Sequence, residues 1–80
     1  MDQNIILENI KTKLTIVPHK PGCYQMKNNK NEIIYVGKAK DLHKRLRSYF
    51  SGSHDAKTTR MLMDVVTFEY IVANSEVEAF

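Results

Sequence analysis

The sequence predicts a small mixed α/β domain of the α+β kind, and three observations carry that prediction. Apolar residues recur at helical spacing in two places, Ile6, Leu7, Ile10 and Leu14, then Leu42, Leu46, Tyr49 and Phe50. Two strand-like runs flank the turn-rich stretch Asn28-Asn29-Lys30-Asn31. Near the end, Phe68, Tyr70 and Val72 alternate with Glu69 and Ile71. Eighty residues make one domain, and an apolar content of 42% suffices for a modest core.

Taken in order, residues 4–17 carry the stripe of a short amphipathic helix, with Asp2 or Asn4 as its cap. Pro18 and Pro21 end it and force an extended entry into a first strand, about Gly22–Lys27. A second strand, about Glu32–Gly37, follows a loop at residues 28–31. That loop length pairs Lys27 with Glu32, Met26 with Ile33, Gln25 with Ile34 and Tyr24 with Tyr35. Gly37-Lys38-Ala39-Lys40 is then a connection, and Asp41 caps a helix through Phe50. Ser51 to Asp55 form an exposed loop. A helix at about Ala56–Val65 turns Met61, Leu62 and Val65 inward, and a third strand runs Thr67–Ala73. Ser75 and Glu78 match a capping box that opens another helix. No stop signal precedes Phe80, so the sequence is expected to be a fragment cut inside that helix. The division expected is a helical leader at 1–17 and a domain, incomplete at its end, at 18–80.

Charge is mildly basic overall, +3 with a pI near 9.1. Its placement says more. Lys38, Lys40, Lys44, Arg45 and Arg47 put five of the twelve Lys and Arg within ten residues. A local cationic patch suits a polyanion, and a solvated helix face is the plain alternative. Cys23 is the only cysteine, so no intrachain disulfide forms. No run reaches transmembrane length, and a cytoplasmic location is expected. His19, His43 and His54 show no metal-ligand spacing and read as surface residues.

Tyr24 and Tyr35 are the sharpest signal. Each lies beside a glycine, in Gly22-Cys23-Tyr24 and Tyr35-Val36-Gly37. Either alone would read as half-buried packing. The expected register puts both phenols on one face, next to the basic helix. Two ionisable hydroxyls facing a cationic helix point to phosphodiester chemistry. An unperturbed phenol, with a pKa of about 10, is a poor base at neutral pH. It serves only where cations favour phenolate, and Lys38 and Arg45 are the candidates. Arg45 and Tyr49 are neighbours at i and i+4. A guanidinium there would meet a phosphate in bidentate fashion. Lys38, Lys40 and Asp41 lie where a strand meets a helix N-terminus, a place that binds anions through free amides.

These residues resemble a known family. The tyrosine–glycine pair followed by Lys38-Ala39-Lys40 resembles the GIY-YIG nuclease motif. The longer tract, Tyr35 to Leu42 with Lys44-Arg45-Leu46-Arg47-Ser48-Tyr49-Phe50, is similar to the UvrC-like branch of bacterial nucleotide-excision repair. The likeness runs from about Pro18 to Phe80. It implies a three-stranded antiparallel sheet flanked by helices. It implies incision of damaged double-stranded DNA on the 3′ side of a lesion, with one divalent metal ion, Mg2+ or Mn2+. It also implies UvrB as a partner, through regions outside this chain. Carried over by position, Tyr24 and Tyr35 are the motif tyrosines, and Lys38, Arg45 and Tyr49 line the site. Tyr35 would help activate water, and Arg45 would stabilise charge on the phosphate. Lys38, Lys40, Lys44, Arg45 and Arg47 would contact DNA.

Two departures stand out. Cys23 replaces the usual aliphatic residue, on the face away from the tyrosines. The family's metal glutamate is expected just past Phe80, since neither Glu76 nor Glu78 matches it, and a later asparagine of the site is also absent. The chain would then carry no metal ligand and be inactive alone. A non-catalytic nucleic-acid-binding module is the alternative reading.

Overall fold

A computed structural model describes residues 2–74. The expected helix at Ser75, with Glu76 and Glu78, lies outside the described residues. Helix α1 spans Gln3–Leu14, and Asp2 is its cap, its carboxylate accepting the Asn4 amide at 2.8 Å. Ile6, Ile10 and Leu14 form the buried stripe at i, i+4 and i+8. Leu7 falls on the flank and stays exposed.

Strand β1 (Gly22–Lys27) pairs antiparallel with β2 (Ile33–Ala39) on one side and with β3 (Thr67–Val72) on the other. The order β2-β1-β3 makes β1 the central strand. This is the expected three-stranded antiparallel sheet. Alternation along β1 turns Tyr24 and Met26 into the core, while Cys23 and Gln25 face the other way.

The register differs from expectation. Lys27 pairs with Ile33, a bulge follows, and Tyr24 ends opposite Gly37 while Tyr35 lies opposite Met26. The cause is local. The Asn28 side chain accepts the amides of Lys30 and Glu32, and the Asn28 amide donates to the Glu32 carbonyl, so Glu32 belongs to the turn. Asn31 takes the left-handed conformation this needs, at φ 63°. Ile34 is then the extra residue of a β-bulge. The two shifts sum to two residues, so Tyr24 and Tyr35 still share a face. Strand β2 also runs on through Lys38 and Ala39, which had read as a connection.

Helix α2 (Leu42–Tyr49) is capped by Asp41, which accepts the Lys44 amide at 2.9 Å. Leu42 and Leu46 are fully buried against Tyr24, Met26 and Phe68, with Tyr49 and Phe50 at the edge of the same core. Truncating either leucine would cost about 2–5 kcal/mol. Helix α3 (Ala56–Asp64) is capped by Asp55, whose carboxylate accepts the Thr58 amide at 2.7 Å. Its Met61 and Leu62 are half-buried, and Val65, just past its end, is buried. Lys13 ties α1 to β3, its ammonium donating to the Phe68 carbonyl and lying 5.1 Å from the Phe68 ring centre. No described helix is long and apolar enough to cross a membrane.

Candidate active site

The site is built where the central strand, its neighbour β2 and the end of α2 meet. Tyr24 of β1 is buried, at 2% exposure, and Tyr35 of β2 reaches solvent at 40%. Tyr49, the last residue of α2, closes the group. The three ring centroids lie 5.8–6.2 Å apart. The Tyr24 and Tyr49 hydroxyls share a hydrogen bond of 2.9 Å.

Gly37 makes room for this cluster. A Cβ there would sit 2.3 Å from Cζ and 2.3 Å from the hydroxyl oxygen of Tyr24. The motif glycine therefore admits the ring of the motif tyrosine across the strand, and Tyr24 itself fills the space. Gly22 serves packing of another kind, since a Cβ there would meet the Ile71 carbonyl and Leu42.

The electrostatics do not meet the condition for phenolate. Burial, then the hydrogen bond shared with Tyr49, pushes the Tyr24 phenol far above its ordinary range. The hydrogen bond with Tyr49 comes first in raising Tyr35. Arg45 pulls both downward, as expected of it, and is outweighed. Both phenols are neutral at pH 7 and act there as hydrogen-bond donors and acceptors. Lys38 stands opposite Cys23 in the ladder, one residue past Gly37, which faces Tyr24.

Beside the tyrosines lies an open groove of about 500 Å³, lined by Lys38, Lys40, Asp41, Lys44, Arg45 and Ser48. Four of the five cations expected to contact DNA are brought together there. Arg47 is not among them, because it points to another side of α2, over a surface shared with Lys11 and His43. The α2 N-terminus also differs from expectation. The Leu42 amide donates to the Lys20 carbonyl, the His43 amide to Pro18 and the Lys44 amide to Asp41. Those amides are spent inside the protein, so anion contact falls to side chains.

His43 and His54 are less superficial than the sequence suggests, while His19 is exposed as expected. His43 is half-buried, its Nδ1 2.8 Å from the Val17 carbonyl. His19 pairs with Asp41 at 2.9 Å. The Lys44 amide, then His19, holds the Asp41 carboxyl below the usual carboxylate range. His54, carried on the loop between α2 and α3, stacks on Tyr49. No spacing in the sequence marks His54 as part of the site. Among the described residues, no group of three or more His, Cys, Asp or Glu is placed to hold a metal ion.

Comparison with known proteins fits this arrangement. Residues 20–80 match the family model of the UvrC-like GIY-YIG domain. The magnesium-bound N-terminal GIY-YIG endonuclease domain of UvrC from Thermotoga maritima is 38% identical, with a TM-score of 0.76. That match covers 100% of this chain and 82% of the other. Point mutants of the same Thermotoga maritima domain, bound to the catalytic divalent cation, match at 38% identity and a TM-score of 0.77, over 100% of this chain and 81% of theirs. The extent of the family match and this identity place the chain in the UvrC-like GIY-YIG domain family.

Proposed function

We propose that the chain is the nuclease domain of an excision-repair endonuclease, hydrolysing a DNA phosphodiester on the 3′ side of a lesion. The observation that carries this reading is the position of Arg45, on the wall of the cationic groove and near enough to act on both Tyr24 and Tyr35. A strand laid in the groove would meet Lys38, Lys40 and Lys44 at its phosphates, with the scissile one against Arg45. Tyr35, the exposed phenol, holds and orients the attacking water. Tyr24 and Tyr49 fix Tyr35 from behind through their hydroxyls. Arg45 stabilises the charge that gathers on the phosphate in the transition state.

By the same proposal the complete domain uses one divalent cation, Mg2+ or Mn2+, which supplies charge at the phosphate. The described residues hold no donor cluster for it, so each step above is assigned to the chain's own side chains. The ligand is proposed to lie past Phe80, within a domain that begins near Pro18. UvrB is proposed as a partner through regions outside this chain.

The test is Arg45→Ala and Tyr35→Phe in the complete domain, with 3′ incision rate measured beside thermal midpoint. Loss of one such donor typically costs about 10²–10³ in rate. Arg45 is exposed and off the buried stripe, so the midpoint should hold. Near-normal incision by either variant refutes the role given to that residue.

A further inference from the structure

A fourth ring stands behind the three tyrosines, and it is held there at a cost. His54 stacks on Tyr49, with ring planes 25° apart and centroids 6.2 Å apart. Its Nε2 is shielded from solvent and has no hydrogen-bond partner among the described residues. A buried nitrogen left unpaired opposes folding, whereas a phenyl ring would give the same stack without that penalty.

Tyr49 needs support from outside its own helix. It is the last residue of α2, where helices fray, and the cap beyond it at Phe50 is not helical. Its hydroxyl nevertheless keeps a 2.9 Å bond to Tyr24. The loop behind is anchored at both ends. Ser51 donates to the Arg47 carbonyl at 2.9 Å, and the His54 carbonyl accepts the Thr59 hydroxyl at 3.4 Å. His54 is thus fixed to α2 on one side and α3 on the other, with its ring against Tyr49.

We propose that His54 is a positioning residue of the tyrosine site. Its imidazole clamps the Tyr49 ring from the loop side and keeps the Tyr49 hydroxyl within reach of Tyr24 and Tyr35. The role rests on the nuclease reading of this cluster, but its test does not use DNA.

The test follows the Tyr24 hydroxyl in the 80-residue chain, labelled with carbon-13 at tyrosine Cζ, by NMR at neutral pH. A buried, bonded hydroxyl proton exchanges slowly and gives a separate Cζ signal in mixed H2O and D2O. Tyr49→Phe supplies the spectrum expected when the partner hydroxyl is gone. His54→Ala should lose the slow-exchange signal of Tyr24 while the dispersed amide spectrum of the sheet persists. His54→Phe should restore the signal and raise the thermal midpoint, because the stack returns without the unpaired nitrogen. A Tyr24 signal unchanged in His54→Ala overturns the proposal. So does its loss only together with the dispersed amide spectrum, or a failure of His54→Phe to restore it. A failed nuclease reading would appear as absent incision by the complete domain and would leave these spectra as they are.

Discussion

Gly37→Ala should damage the fold and the site together, and its size can be worked from the contacts. The added Cβ would lie 2.3 Å from Cζ, 2.3 Å from the hydroxyl oxygen and 2.8 Å from Cε1 of Tyr24. Non-bonded carbons prefer about 3.5–4.0 Å, so the ring must retreat by roughly 1 Å or more. It has no free direction, being buried with the Tyr49 hydroxyl bonded to its tip. Overpacking of this kind costs about 1–3 kcal/mol, and losing the hydroxyl bond adds about 1 kcal/mol. Alanine returns about 0.5–1 kcal/mol because it is less costly than glycine in a strand. The net is about 1–3 kcal/mol, and each kcal/mol lowers the midpoint by about 4–8 °C in a domain of this size. Thermal unfolding followed by circular dichroism reads it. Tyr24→Leu removes all three clashing atoms, so in that background Gly37→Ala should cost almost nothing, a coupling of at least about 1 kcal/mol. A Gly37→Ala midpoint equal to or above the parent's would refute the account, since a strand alanine free of any clash should stabilise.

Alkaline stability should depend on Tyr24. Its folded pKa is raised, so the unfolded chain gives up this proton first, at a pH of about 10. The stabilisation is complete below that pH and is lost as pH climbs beyond it, by at most about 1.4 kcal/mol per pH unit for one group. Urea unfolding between pH 8 and 11 should show a shallower decline for Tyr24→Phe, and equal slopes would place the phenol in water. DNA affinity measured across a salt series should separate two basic residues of α2. Lys44→Ala should reduce the slope of log affinity against log salt by about 0.9, and Arg47→Ala, outside the groove, should leave it unchanged. Incubated with damaged duplex, manganese and the partner proteins, the 80-residue chain should leave the strand intact. Metal-dependent nicking would mean that its own residues complete a metal site.

Much of the architecture was legible because it depends on local periodicity. Leu42 and Leu46 announce the buried side of α2 by their spacing, and Asp41 announces its start by chemistry. The shared face of Tyr24 and Tyr35 was legible too, since strands alternate with a period of two. Their register was not, because it turns on one Asn28 side chain drawing Glu32 into the loop and on an unpaired Ile34. The closed α2 N-terminus was equally hidden. Its amides are taken by Lys20 and Pro18 carbonyls, and no local pattern reveals contacts made across that distance in the chain. The charge state of the phenols was not legible from Lys38 and Arg45, because burial decides the balance, and burial belongs to the assembled core. His54 joined the site for the same reason, through the path of a loop.

The hairpin also keeps a spare residue in hand. Tyr35 shares the Tyr24 face because two odd displacements, one at the Asn28–Glu32 turn and one at the Ile34 bulge, make an even sum. Either displacement alone would turn the Tyr35 phenol to the Cys23 side of the sheet. A turn one residue shorter could still present the phenol if the bulge vanished with it, since Ile34 would then take an ordinary place in the ladder. Parity of the hairpin is what the site requires, and the bulge lets the tip change length while that parity holds.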